Sequence, residues 1–190
     1  PNYDHMRKRA ISLAALVYLL AIGTATGQDN NYNFSLQTLG GYTTPGVVPF
    51  WLRHAIDHEH GGLFTCISDT GEVLRSDKYI WSQLRAIWTF SALYNRIAPQ
   101  PDWLDVAWRT YEFARRHGRD EQGHWVFATT RQGDVLQGAN SIYADGFAIY
   151  GLTELARATG DPGVIALARD TYESVQHRLA RPGSYGTVPF

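Results

Sequence analysis

Slid against itself by 62 residues, the sequence falls back onto its own pattern, and this constrains the fold more than any single residue does. Gly61 lands on Gly123, Gly71 on Gly133, Val73 on Val135, Leu74 on Leu136, Ile80 on Ile142, Trp81 on Tyr143, Ala86 on Ala148, Trp88 on Tyr150 and Leu93 on Leu155. Glycines and helical aromatics kept in one register describe a structural unit that occurs twice. Such a unit cannot bury its apolar face alone and has to stack on its neighbour.

Each unit reads in three parts. In "PDWLDVAWRTYEFARRHG", Trp103, Leu104, Ala107, Trp108, Tyr111 and Ala114 recur at spacings of three and four while Asp102, Asp105, Arg109, Glu112 and Arg116 fall elsewhere, which predicts a helix with one solvated face. A glycine turn follows, "HGGLFTCISDTGEVL" in one copy and "QGHWVFATTRQGDVL" in the other, whose short β-type stretches suggest a small hairpin. Last comes a helix apolar nearly all round, "YIWSQLRAIWTFSALY" and "SIYADGFAIYGLTELA". A further amphipathic helix is predicted at about 162 to 179, with Asp161 as N-cap ahead of Pro162, and "RPGSYGTVPF" begins a third turn. Alternating outer and inner helices imply an all-α fold, an α/α toroid of helical hairpins with small β-hairpin turns. A ring of six such units would need about 370 residues, so the sequence reads as the N-terminal half of a longer domain.

The amino-terminal residues have a different logic. From Met6, "MRKRAISLAALVYLLAIGTATGQ" places Arg7, Lys8 and Arg9 before an apolar run from Ala10 to Ile22 and ends in small residues, the layout of a secretory signal peptide spanning 6–27. The apolar run is shorter than the roughly 20 residues of a membrane span, so the mature chain is expected to be secreted or periplasmic with no stable membrane span once the signal is removed. Residues 28–48, rich in Asn, Thr, Gly and Pro, read as a flexible leader, and 49–190 as the helical domain. A net charge of -1 gives no electrostatic reason for a nucleic-acid partner, and the single cysteine, Cys66, excludes an internal disulfide.

"KYIWSQLRAIWTF", residues 78–90, sets Arg85 between Trp81 and Trp88 on a helix that should be buried. At 100° per residue, Trp81, Arg85, Trp88 and Ala92 share one stripe, and Tyr143, Phe147, Tyr150 and Glu154 form its counterpart one repeat later. A buried guanidinium without a partner costs several kcal/mol, so Arg85 either pairs with a carboxylate such as Asp77 or Glu72 or faces a hydrated hollow that takes a polar ligand. A sugar suits such a hollow, its C–H faces against the rings and its hydroxyls accepting from the guanidinium.

Residues 50–97, "FWLRHAIDHEHGGLFTCISDTGEVLRSDKYIWSQLRAIWTFSALYNRI", with "SIYADGFAIYGLTELARATGD" at 141–161, resemble the N-acylglucosamine 2-epimerase family, which includes cellobiose and mannobiose 2-epimerases and aldose-ketose isomerases. The resemblance covers about 49 to 180 and implies an (α/α)6 barrel. It further implies cofactor-free epimerisation or isomerisation of a mono- or disaccharide with a free reducing end, by deprotonation next to the aldehyde to an enediolate and reprotonation on the other face. Carried over by motif, Arg85, Trp81 and Tyr143 would contact the sugar; Trp88 joins them from the stripe geometry. Two histidines serve as base and acid in the family, and none of His54, His58, His60, His117, His124 or His177 matches their positions. The resemblance therefore implies no catalytic residue here and an inactive isolated chain.

Other constellations point elsewhere. His54 and His58, four apart, could hold a metal on one helix face, but histidines near a helix carboxyl end also suit the dipole, and no metal is expected. Asp57, Asp120 and Asp145 could supply the acid pair of a glycoside hydrolase of the same fold. Asp57 and Asp120 adjoin glycine turns, where aspartate is common for turn chemistry, and Asp145 lies about 160° from the aromatic stripe. A hydrolase and a non-catalytic carbohydrate-binding remnant stay open as alternatives.

Overall fold

The computed structural model describes residues 46–181 and 183–186. The expected signal peptide at 6–27 and the expected leader up to residue 45 lie outside the described residues. Those described fall into two compact units, 46–55 with 66–74, and 56–65 with 75–186.

The smaller unit holds α1 (Val47–His54), which starts two residues before the expected domain boundary at 49 and buries Val48 and Trp51. It also carries β1 (Cys66–Ile67), which pairs with β2 (Val73–Arg75). The His54 ring packs on Phe50, with centroids 5.0 Å apart, and lies so close to Gly71, at φ 92°, that a Cβ there would collide with it. Only glycine satisfies both the left-handed backbone and the ring above it.

The larger unit runs through β3 (Lys78–Tyr79), α2 (Ile80–Arg96), α3 (Pro101–His117), β4 (Ala128–Thr129), β5 (Val135–Gln137), α4 (Ile142–Thr159) and α5 (Pro162–Leu179). The helices α2 and α4 pack on one another, α3 packs on α2 and α5 on α4, so the two nearly all-apolar helices form the inner pair and the amphipathic ones the outer pair. Ile80, Leu84, Ile87, Leu93, Ala148, Leu152 and Leu155 fill the core at 0 or 1% exposure. Gly151 is the point of closest approach, where a Cβ would run into the Leu84 carbonyl. The inner helices cross at near backbone contact because this position carries no side chain.

Hydrogen bonding follows the 62-residue register. Ser68 N–H donates to the Glu72 carbonyl and Gly71 N–H to Ser68; Thr130 N–H donates to Asp134 and Gly133 N–H to Thr130. His117 packs on Phe113 at 5.1 Å and sits over Gly133, at φ 110°, as His54 sits over Gly71. On the outer helices the register is 61, and Thr110 and Thr171, both buried, each donate to the carbonyl four residues back, those of Val106 and Leu167. β3 of the first repeat pairs antiparallel with β4 of the second, Lys78 opposite Thr129 and Tyr79 opposite Ala128, and β4 pairs with β5. The Ile80 N–H at the head of α2 donates to the Phe127 carbonyl, and the Ile142 N–H at the head of α4 to Gly186. Each inner helix is thereby anchored to the turn of the repeat that follows it.

Polar groups inside this frame are supports. Gln83, fully buried, accepts from the Leu63 N–H and donates to the Leu63 carbonyl, both at 2.8 Å, which satisfies a turn that no strand reaches. Its repeat counterpart is Asp145, 1% exposed, which meets Arg178 of α5 at 2.6 Å. Burial raises the Asp145 carboxyl above its ordinary value, with Arg178 pulling it only part of the way back. The expected cap at Asp161 is present: its carboxylate accepts from Gly163 N–H at 2.7 Å and Val164 N–H at 3.0 Å. No helix among the described residues is long and apolar enough to cross a membrane.

Two outcomes are expected in urea unfolding of variants. Gln83→Ala leaves two buried backbone groups unpaired and should lower stability by about 2–6 kcal/mol, from about 1–3 kcal/mol for each. Asp161→Ala removes one helix cap and should lower it by about 1 kcal/mol.

Candidate functional site

The stripe predicted on α2 faces its counterpart on α4. Arg85 lies between Trp81 and Phe147, its guanidinium carbon 5.7 Å and 5.2 Å from the two ring centroids, and the rings themselves are 6.2 Å apart. No carboxylate among the described residues pairs with it, and its Nε is buried without a hydrogen-bond partner there. Asp77, one of the two acids considered for it, is taken by Arg75 at 3.2 Å. Burial lowers the Arg85 pKa from its ordinary value, and the Tyr150 phenol pulls the other way. What the arginine has for company is aromatic faces, whose negative quadrupoles partly offset its lost hydration.

The four residues singled out from sequence lie along this face in different settings. Trp81 and Arg85 are half-buried, and Tyr143, one turn N-terminal to Phe147, is 51% exposed. Trp88 differs: it is 2% exposed, with Tyr150 stacked on it at 4.6 Å and 16° and the Arg96 guanidinium over the ring at 5.7 Å. Its ring faces serve packing, so Trp88 is a support for Tyr150, which is itself 40% exposed. The stripe geometry gave the face correctly but could not show that α4 covers this part of it. Below it, Glu154 closes the stripe as a structural group. It accepts from Asn95 at 3.0 Å and Arg96 at 2.9 Å, and these bonds outweigh burial and hold its carboxyl below the ordinary range.

The head of α2 is fixed by a group that sequence reasoning missed. Lys78 is fully buried and donates to Asp57 at 2.9 Å, to the Gly61 carbonyl at 2.5 Å and to the Arg131 carbonyl at 3.0 Å, with the Phe113 ring 4.1 Å away. Asp57 also accepts from Arg131, at 2.9 and 3.0 Å, and from the Glu59 and His60 N–H groups. Burial alone would push the Asp57 carboxyl up, but the bonds from Arg131 and Lys78 hold it far below the ordinary range. Burial likewise pulls Lys78 down from its ordinary value, partly restored by Asp57. Only contacts between residues 21 and 74 apart reveal this clasp. A lysine in the buried run and an aspartate before the glycine pair were each visible, but nothing local linked them.

The remaining candidates have other tasks. Asp120 accepts from the Gln122 and His124 N–H groups in its turn. Asp57 and Asp145 are tied into ion pairs, so none of the three aspartates offers a free catalytic carboxyl. α1 ends at His54 and His58 lies in the turn beyond it, which removes the shared helix face a metal pair would have needed. Among the described residues no cluster of three metal-ligating side chains occurs. His117 packs on Phe113 and over Gly133, His124 lies 3.6 Å from Asp120, and His177 is exposed on α5.

The profile of the N-acylglucosamine 2-epimerase family matches residues 62–188. The chain belongs to this family. Cellobiose 2-epimerase of Bacteroides fragilis is 33% identical over 135 residues, 70% of this chain and 34% of that protein. N-acylglucosamine 2-epimerase of Homo sapiens is 33% identical over 142 residues, 73% of this chain and 33% of its own. The crystal structure of a sugar epimerase from a ruminal bacterium superposes with a TM-score of 0.69 at 28% identity, over 75% of this chain and 37% of that one. The chain thus spans about a third of the length of the relatives it matches, and its helical hairpins are a portion of an (α/α)6 barrel.

The clasp at the head of α2 has a pH signature. The folded-state pKa of Asp57 lies below its unfolded value, so its contribution is complete above about pH 4 and drains away as pH falls below that. Asp57→Asn is expected to unfold more readily at pH 7, because Lys78 and Arg131 lose their counter-ion, and to show a flatter decline in unfolding free energy below about pH 4. An acid slope unchanged from the parent would exclude Asp57 as its source.

Proposed function

We propose that this chain forms part of the sugar-binding wall of a carbohydrate 2-epimerase or aldose-ketose isomerase, acting on a mono- or disaccharide with a free reducing end and needing no cofactor. The observation that carries the reading is Arg85: a half-buried guanidinium held between Trp81 and Phe147, with its Nε buried and no carboxylate among the described residues to neutralise it. A sugar answers both halves of that environment, apolar C–H faces for the rings and oxygen acceptors for the five guanidinium donors. Tyr143 extends the wall along α4, and Trp88 acts through Tyr150.

In the reaction, a base removes the proton from C2 of the open-chain aldose, the electron pair moves to the carbonyl oxygen to give the enediolate, and an acid returns a proton to the other face of C2. Arg85 would hold that oxygen as negative charge develops on it, the step at which a preorganised cation in a low-dielectric site contributes most. Proton transfer falls to histidines that this chain does not supply, and the six described ones have the places already given. The chain alone therefore binds without turnover. The basic Arg7–Arg9 and apolar Ala10–Ile22 segments support export to a secreted or periplasmic site.

Titration of the 190-residue chain with cellobiose and N-acetylglucosamine should show binding that Arg85→Ala weakens about tenfold or more, the ratio given by about 1.4 kcal/mol. In deuterium oxide the C2 proton of a bound sugar should not wash out. Equal affinity of parent and Arg85→Ala would remove the proposal, and C2 exchange by the isolated chain would refute its lack of turnover.

A further inference from the structure

A second concave site lies on the outside of the same hairpins. Tyr94 near the end of α2, Pro101, Leu104, Asp105 and Trp108 along the first two turns of α3, and Thr159 at the end of α4 line a cavity of about 360 Å3. This is within the range of small-molecule sites, about 300–1,000 Å3. Its two rings are half-buried, and Trp108 is set by a tilted contact at 5.2 Å with Tyr111, itself 5% exposed. The polar groups at its edge can accept hydrogen bonds. The Asp105 carboxylate spends one oxygen on Arg109 at 2.7 Å, and the Thr159 hydroxyl donates to Leu155 and accepts from the Asp161 N–H, leaving one lone pair.

The repeat shows that packing alone does not dictate this groove. At the equivalent positions Pro101 is matched by Pro162, Leu104 by Ile165, Ala107 by Ala168, Thr110 by Thr171 and Tyr111 by Tyr172, so the helix framework is kept. The two groove rings are not: Ala156 stands where Tyr94 does, and Arg169 where Trp108 does. Two aromatic rings added to one outer groove, beside acceptors that suit ring hydroxyls, make a surface for the C–H face of a pyranose.

We propose that this groove is an accessory carbohydrate site, distinct from the Arg85 face, which takes a pyranose ring stacked on Trp108 with hydroxyls donating to Asp105. It has no cation for a developing oxyanion, so it does not need a reducing end. A glycoside blocked at C1 cannot open to an aldehyde and so cannot present the carbonyl oxygen assigned to Arg85, and removing Arg85 leaves the groove as the site that is read.

The test is calorimetric titration of the 190-residue chain with methyl β-cellobioside. In the Arg85→Ala background, Trp108→Ala should bind it at least about tenfold more weakly than Arg85→Ala alone, equivalent to about 1.4 kcal/mol, and Trp108→Phe nearly as well as Arg85→Ala alone. Because Trp108 also touches Tyr111, Tyr94→Ala is measured beside it and should weaken binding in the same direction with an unchanged melting temperature. Failure of the parent to bind the blocked glycoside overturns the proposal. So does equal binding by Arg85→Ala with and without Trp108→Ala. The Arg85 reading is judged separately, on reducing sugars.

Discussion

The close crossing of the two inner helices governs the rest. With Gly151 against the Leu84 carbonyl, α2 and α4 approach near enough for a ring on one helix to meet a ring on the other: Trp88 on Tyr150, Trp81 near Phe147. That spacing decides which part of the aromatic stripe is packing and which part stays open. Trp88 lies inside the contact and is covered; Arg85, one turn earlier, ends up between two rings with its guanidinium at the margin. A larger residue at 151 would separate the helices and dismantle both arrangements together.

Holding a half-buried cation in place needs a rigid frame, and the frame is polar where it could have been apolar. The Asp57, Lys78 and Arg131 clasp ties the first turn to the second hairpin just before α2 begins, while Arg96 and Asn95 bind Glu154 at the other end of the same helix. Buried ion pairs of this sort add little net stability over apolar replacements, because desolvation offsets the attraction. What they supply is geometry, since a charge in a dry site has few alternative partners. The helix bearing Arg85 is thereby pinned at both ends.

The repeat, the alternation of inner and outer helices and the Asp161 cap were legible because each depends on residues near in sequence and was present twice or followed a helix-end rule. The Arg85 neighbourhood was half legible. Helical spacing gave the stripe on each helix, but which rings meet across the pair depends on a crossing that one glycine sets, and so Trp88 was read as open when it is covered. The Lys78 clasp was out of reach for the opposite reason, since its partners are distant in sequence and the second repeat has Asn140 at that position. Gln83 and Asp145 did leave a trace: polar residues at matching positions in two apolar helices, each reaching toward the turn.

Differences between the two repeats carry as much information as their agreement. Several structural residues are kept in both copies, as with the histidine over the hairpin glycine or the buried threonine of each outer helix. Where one copy departs without a packing reason, the side chain is free for other work. Arg85 departs most sharply, because its counterpart is Phe147, the ring that now lies against it. A stacking duplication would place two rings there; replacing one by a guanidinium sacrifices hydration that the partner ring only partly restores. Selection for packing alone gives no reason to keep such a group, whereas a ligand with oxygen acceptors and apolar faces gives one. Symmetry supplies the scaffold here, and its local violation is where the proposed sugar contact lies.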